Sequence, residues 1–201
     1  MRITIFDYGA GNLHSLEKAM AGGGISVAIE TDPLRCIDTD LLVLPGVGSF
    51  AQAASRLAPA RAPLRDAILA GLPTIGICLG MQLLFAHSDE SAGSGDNGLG
   101  VLDGRVTRLN ASRVPQIGWN SFEDVRDALF ESAGLATGYY ANSFVCRPRD
   151  ETAVVAWSRH EDDRFPAMVR VRRAVGVQFH PEKSSAAGVR FLRATVAELL
   201  T

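Results

Sequence analysis

Short apolar runs bounded by turn residues recur through the first 80 positions, and each reads as a buried parallel strand. They fall at residues 3–6, 25–29, 41–44 and 74–77. The stretches over 13–21 and 51–70 between them are helical by composition and spacing. This alternation predicts an α/β fold, a flavodoxin-like, mostly parallel central sheet flanked by helices. Beyond residue 100 the pattern changes. Segments 105–109, 119–123, 152–158, 168–171 and 175–179 are strand-like with little helix between them, which predicts extra, partly antiparallel strands extending the sheet. The last segment, 184–200, sets Val189, Leu192, Val196, Leu199 and Leu200 on one helical face. The run SAGSGDNG at 91–98 is a flexible loop by composition. No repeat or low-complexity linker divides the chain, so a single domain over residues 1–201 is expected.

Composition narrows the picture. With 47% hydrophobic and 21% charged residues, the chain can bury a sizeable core. Its net charge of -2 comes without a basic stripe, so nucleic acid is not an expected partner. No apolar run approaches the ~20 residues of a membrane span. The start, MRITIFDYGAGN, reads as a strand rather than a signal peptide, which favours the cytoplasm. Three cysteines, Cys36, Cys78 and Cys146, form no C-x-x-C pair, which argues against a disulfide framework and a structural zinc site.

One cysteine has a special setting. The stretch PTIGICLGMQLLF at 73–85 runs a short strand into Cys78 and starts an apolar helix beyond it. G-I-C-L-G has the form G-x-S-x-G with Cys in place of Ser, the pattern of a nucleophile elbow. Gly76 and Gly80 suit a turn too tight for side chains, and the helix N-terminus would favour thiolate. The Leu79 N–H, just after the sulfur, could donate to an oxyanion. A buried structural cysteine is the alternative, and it is the reading for Cys36 and Cys146.

A thiolate needs a base, and the base an orienter. Of the four histidines, His14 falls in an early helix, His87 at a helix end and His160 in the polar run RHEDDR, all as surface residues. His180 ends the strand AVGVQFH. Strand alternation would point Glu182 the same way across Pro181, where it could hold the imidazole. A surface pair or two metal ligands are the alternatives. The turn Pro45-Gly46-Val47-Gly48-Ser49-Phe50 follows a strand and could supply N–H groups to a phosphate or an oxyanion, or be only a tight turn. The loop Tyr8-Gly9-Ala10-Gly11-Asn12 lacks the third glycine of a dinucleotide site, since that position is His14. In strand order 2-1-3-4-5, residues 7–12, 45–50 and Cys78 converge at one sheet edge.

Taken in order, DYGAGNL at 7–13, PGVGSF at 45–50, CLGMQLLF at 78–85, IGWN at 117–120 and FHPEKS at 179–184 resemble the class I, triad-type glutamine amidotransferases. The form most resembled is the glutaminase subunit of imidazole glycerol phosphate synthase. The resemblance implies hydrolysis of glutamine to glutamate and ammonia. Ammonia would pass to a partner cyclase, a (β/α)8 barrel forming a heterodimer with this chain, for imidazole ring formation in histidine biosynthesis. It implies Cys78 as nucleophile, His180 as base and Glu182 as orienting carboxylate, with Val47 and Leu79 as oxyanion donors. Gly48, Gln82, Glu90, Asn142, Ser143 and Phe144 match positions around bound glutamine. Tyr139 and Lys183 match positions near the interface and ammonia passage. No metal or flavin is implied. Many relatives have His-Ser where this chain has Asn142-Ser143; Asn still donates and accepts. Another glutamine amidotransferase, serving anthranilate, guanine or pyridoxal synthesis, or a non-catalytic flavodoxin-like binding module, is the competing reading.

Overall fold

The computed structural model describes residues 1–9, 13–91 and 97–201. Residues 10–12 of the early glycine loop and 92–96 of the predicted loop at 91–98 lie outside the described residues. Strands β1 (Arg2–Phe6), β2 (Ser26–Glu30), β3 (Leu41–Leu44) and β4 (Thr74–Ile77) stand where the apolar runs predict them, the second displaced by one residue. Helix α1 spans His14–Met20. The helix expected over 51–70 is two: α2 (Phe50–Leu57) and α3 (Arg61–Ala70), joined by a 3-10 turn over Ala58–Ala60. Pro59 has no N–H to continue α2, and a proline is tolerated only in a first turn. Ser49 caps α2, its hydroxyl accepting from the Gln52 N–H at 3.3 Å.

The apolar helix expected after Cys78 is one turn, α4 (Leu79–Gln82), and Phe85 already begins strand β5 (Phe85–Ser88). His87 therefore lies in a strand and not at a helix end. Strands β6 (Leu102–Arg108) and β7 (Gln116–Ser121) follow, then helix α5 (Ala128–Ala133), then β8 (Thr137–Asn142) and β9 (Phe144–Pro148). The chain closes with β10 (Val154–His160), β11 (Asp163–Val171), β12 (Ala174–Val177) and α6 (Ser185–Leu199).

The large sheet has the order β2-β1-β3-β4-β12-β11-β10. Its first five strands are parallel, in the flavodoxin-like order, and β11 and β10 extend it antiparallel. The remaining strands form two small sheets, β5-β6-β9 and β7-β8. Alternation along the buried strands feeds two cores. Leu41, Val43, Ile75 and Ile77 pack with Leu16 of α1 and Phe191, Leu192 and Val196 of α6. Leu42 and Leu44 pack with Phe50 and Leu57 of α2 and Leu64 and Ile68 of α3. Helices thus cover both faces of the sheet, and the carboxyl ends of β3, β4 and β12 lie side by side at one edge.

Candidate active site

β4 ends at that edge on Cys78, whose backbone has φ 49° and ψ -103°. A non-glycine residue at positive φ is costly, of the order of 1–3 kcal/mol, and persists where the surroundings hold it. The hydrogen bond from Cys78 N–H to the Val177 carbonyl at 2.7 Å anchors the strained residue to β12. The turn closes so tightly that a Cβ on Gly80 would lie 1.9 Å from the Leu44 carbonyl oxygen, and one on Gly76 would lie 2.6 Å from the Gly80 oxygen. Glycine is required at both positions by close approach. With only one helical turn beyond it, Cys78 gains little from a helix dipole, so its charge balance falls to its neighbours.

The first neighbour is His180. It follows β12 and caps a 3-10 turn over Pro181–Lys183. That turn, rather than strand alternation, brings Glu182 back, with Oε1 2.8 Å from His180 Nδ1. Cys78 is the other group that acts on the imidazole. Burial alone would drive the imidazole pKa down. The Cys78 charge and hydrogen bond, joined by the Glu182 carboxylate, overcome burial and raise it to about 10. A raised imidazole pKa keeps His180 protonated at neutral pH. The backbone carbonyl of Tyr139 accepts from the His180 N–H at 2.8 Å, and the Tyr139 N–H donates to Ser184 Oγ at 2.8 Å. β8 therefore clamps the turn carrying His180 and Glu182 from one side.

The turn after β3 lies against both groups. A Cβ on Gly46 would sit 2.9 Å from His180 Cε1 and 3.1 Å from the Cys78 Cβ. Gly48 takes φ 115°, a conformation open to glycine. The buried Tyr8 hydroxyl donates to the Pro45 carbonyl and ties this turn to the end of β1.

A cavity of about 310 Å³ opens over the sulfur. Its wall contains Val47, Gly48, Cys78, Leu79, Gln82, Glu90, Asn142, Ser143, Phe144, His180 and Lys183. Eleven of the thirteen positions singled out from the sequence thus meet in one cavity, although they come from five separate stretches of chain. Glu182 stands behind His180, and Tyr139 lies beside the cavity, its ring edge-on to Trp119 at 6.1 Å. The Glu90 carboxylate accepts from the Phe50 N–H at 3.2 Å. Asn142 Nδ2 and Gln82 Nε2 both donate to the Phe144 carbonyl, at 3.1 and 3.0 Å. Asn142 Oδ1 is buried without a partner in the protein.

Cys36 and Cys146 are fully buried and lie outside the cavity wall. Burial first, then the charges of Glu30 and Asp32, pushes Cys36 up to about 12. Burial, then the Cys78 charge, raises Cys146 well above its ordinary value. Both are thiols packed in the core. Sequence reading missed Gln178, fully buried between Gln82 and the Cys78 sulfur. Its only signal was a polar residue inside the otherwise apolar AVGVQF.

The model of the class-I glutamine amidotransferase family matches residues 4–198. The imidazole glycerol phosphate synthase subunit HisH of Pyrococcus furiosus is 41% identical, over 96% of this chain and 96% of its own length. That of Symbiobacterium thermophilum is 43% identical, over 95% and 91%. Among solved structures, a glutamine amidotransferase superposes with a TM-score of 0.74 at 20% identity, over 98% of both chains. PurLQS from Thermotoga maritima gives 0.71 at 20% identity, again over 98% of both chains.

Proposed function

The chain belongs to the class-I glutamine amidotransferases, and we propose that it is the glutaminase subunit of an imidazole glycerol phosphate synthase, working in histidine biosynthesis. The observation that carries the chemistry is the strained Cys78 facing an imidazole whose far nitrogen is 2.8 Å from Glu182. Identity near 40% over nearly full length to subunits of that synthase carries the choice within the family.

Glutamine lies in the cavity with its carboxamide over the sulfur. The Cys78 thiolate attacks the carboxamide carbon, and the oxyanion that forms is met by the backbone N–H groups of Val47 and Leu79. His180, as imidazolium, protonates the departing nitrogen, and ammonia leaves a thioester on Cys78. Neutral imidazole then takes a proton from water as the water attacks the thioester carbon. Glutamate leaves and the thiolate–imidazolium pair is restored. Glu182 fixes the tautomer of the imidazole and offsets its charge. The carboxamide chemistry leaves the amino-acid end of glutamine to the rest of the wall. Glu90 offers a carboxyl group, and Asn142, Gln82, Ser143 and Phe144 offer further polar edges.

The ammonia would be delivered to a cyclase subunit, a (β/α)8 barrel docked as a heterodimer over the cavity mouth. Two features support docking there. Lys183 is exposed at the cavity rim. Beside it, β7 presents Ile117 and Trp119, 69% and 55% exposed, against Tyr139. Large apolar side chains left in water next to a polar site are typical of an interface.

The test is a reconstituted assay of this chain with a cyclase subunit. Wild type should release glutamate and ammonia from glutamine and support imidazole product formation. Cys78→Ser should lose glutamine-dependent synthesis and keep synthesis from ammonium salts, because a hydroxyl without a retuned base is a far weaker nucleophile. Wild-type glutaminase activity in Cys78→Ser would remove Cys78 from the mechanism.

A further inference from the structure

We propose that Gln178 is a positioning residue for the nucleophile: its side-chain amide, held in one polarity by Gln82, donates a hydrogen bond to the Cys78 sulfur and favours the thiolate. The proposal rests on the reading of Cys78 as nucleophile and extends it to a residue outside the cavity wall.

The geometry runs in one direction. A backbone carbonyl can only accept, so the Phe144 oxygen takes a hydrogen from Gln82 Nε2 at 3.0 Å. The second hydrogen of that same nitrogen goes to Gln178 Oε1 at 3.3 Å. With its oxygen committed to Gln82, Gln178 must turn its nitrogen the other way, and Nε2 lies 3.5 Å from Cys78 Sγ. The flipped amide would set two NH2 groups face to face and an oxygen against the sulfur. An acceptor-only group at one end therefore imposes a donor at the other.

Gln178 is completely buried, and its backbone N–H is fixed to the Ala167 carbonyl at 2.9 Å. A buried amide without partners would be costly, which locks the chain of contacts once formed. It follows β12 directly, so it stands beside Cys78, whose own N–H is tied to Val177. A donor on the sulfur stabilises the charged form over the neutral thiol, since thiolate is the stronger acceptor. His180 and Gln178 thus approach the sulfur as a charged and a neutral donor. Gln82 and Phe144 also form part of the cavity wall, so the relay begins at the surface that receives glutamine.

The test compares Gln178→Met and Gln178→Leu with wild type in the full chain. Both remove the donor at similar volume. The first readout is alkylation of Cys78 by iodoacetamide against pH, followed by mass spectrometry of the peptide containing it. The variants' alkylation midpoint should move up by about one pH unit, so that below the wild-type midpoint they react about tenfold more slowly. At high pH they should converge on the wild-type rate. The second readout is glutaminase turnover with the partner subunit, where kcat should fall about as much as alkylation. A merely structural role would slow reaction alike at every pH. If one variant does not fold, as judged by loss of a cooperative melt, the other decides. Wild-type alkylation profiles in a folded variant would overturn the proposal. Slowed neutral alkylation in a chain that proved unable to hydrolyse glutamine would sustain it while sinking the hydrolase reading.

Discussion

At the scale of single residues, the site is a balance of charge in a dry setting. The charged form of His180, the imidazolium, is opposed by burial and favoured by the Cys78 charge and hydrogen bond, then by Glu182. Because its folded pKa is raised, the imidazolium persists through neutral pH and is lost as pH rises through about 10. Ammonia release needs that proton, so kcat should fall along the same alkaline limb. Replacing Cys78 by Ser removes the negative neighbour and leaves burial in force. The imidazole midpoint in Cys78→Ser, followed through the His180 ring protons by NMR, should therefore drop below that of wild type. An unchanged midpoint would mean that Cys78 contributes no charge. The grouping of Cys78, His180 and Glu182 was legible in the sequence because glycines flank Cys78 and because His180 and Glu182 sit two residues apart late in the chain. Their geometry was legible only in outline. Pro181 starts a 3-10 turn, and alternation along a strand had no part in joining them. Gln178 was invisible because a residue whose partners are Gln82 and Cys78, 96 and 100 positions away, carries no local spacing signal.

At the scale of elements, the parallel half announced itself and the rest did not. β1, β3 and β4 are buried on both faces, so their sequences are continuous apolar runs with sharp ends. β5, β8 and β9 were missed. They are mixed segments such as FAHS and TGYYAN, with one exposed face or an open edge, and Gly or Asn within them lowers any strand signal. α5 was missed because six residues give no helical period. Its termini are set by Asp127, which accepts from the Leu129 N–H at 2.9 Å, and by Gly134 at φ 64°. The elbow is where element packing and chemistry meet. β3 and α4 approach so closely that a side chain on Gly80 meets backbone, and backbone cannot rotate away. Gly80→Ala should cost about 3 kcal/mol and lower the melting temperature by roughly 6–12 °C. It should also displace the Leu79 N–H and depress glutaminase activity beyond the stability loss. A wild-type melt would show that the turn relaxes freely.

At the scale of the whole molecule, the question is what stands over the cavity mouth. The sheet edge gathers the ends of β3, β4 and β12, and the small β7-β8 pair rises beside it, laced to His180 and Ser184 through Tyr139. That pair turns Ile117 and Trp119 to water, while Lys183, one residue past Glu182, is exposed at the rim. None of the three supports the core. A tryptophan so placed gives a large contact area at small entropic cost, and such residues dominate binding energies. Trp119→Ala should leave the free chain's melting temperature nearly unchanged and weaken association with a cyclase by about 2 kcal/mol or more, roughly 30-fold. Lys183→Ala acts differently. An exposed ammonium contributes little alone, but one buried against a carboxylate of the partner would lose about 2–5 kcal/mol on truncation. It should lower imidazole product formed per glutamate released, because the rim it occupies is where ammonia would cross. Measuring subunit affinity and that ratio for both variants separates the roles. If both variants match wild type in both readouts, the partner docks elsewhere, and the ammonia leaves the cavity by another side.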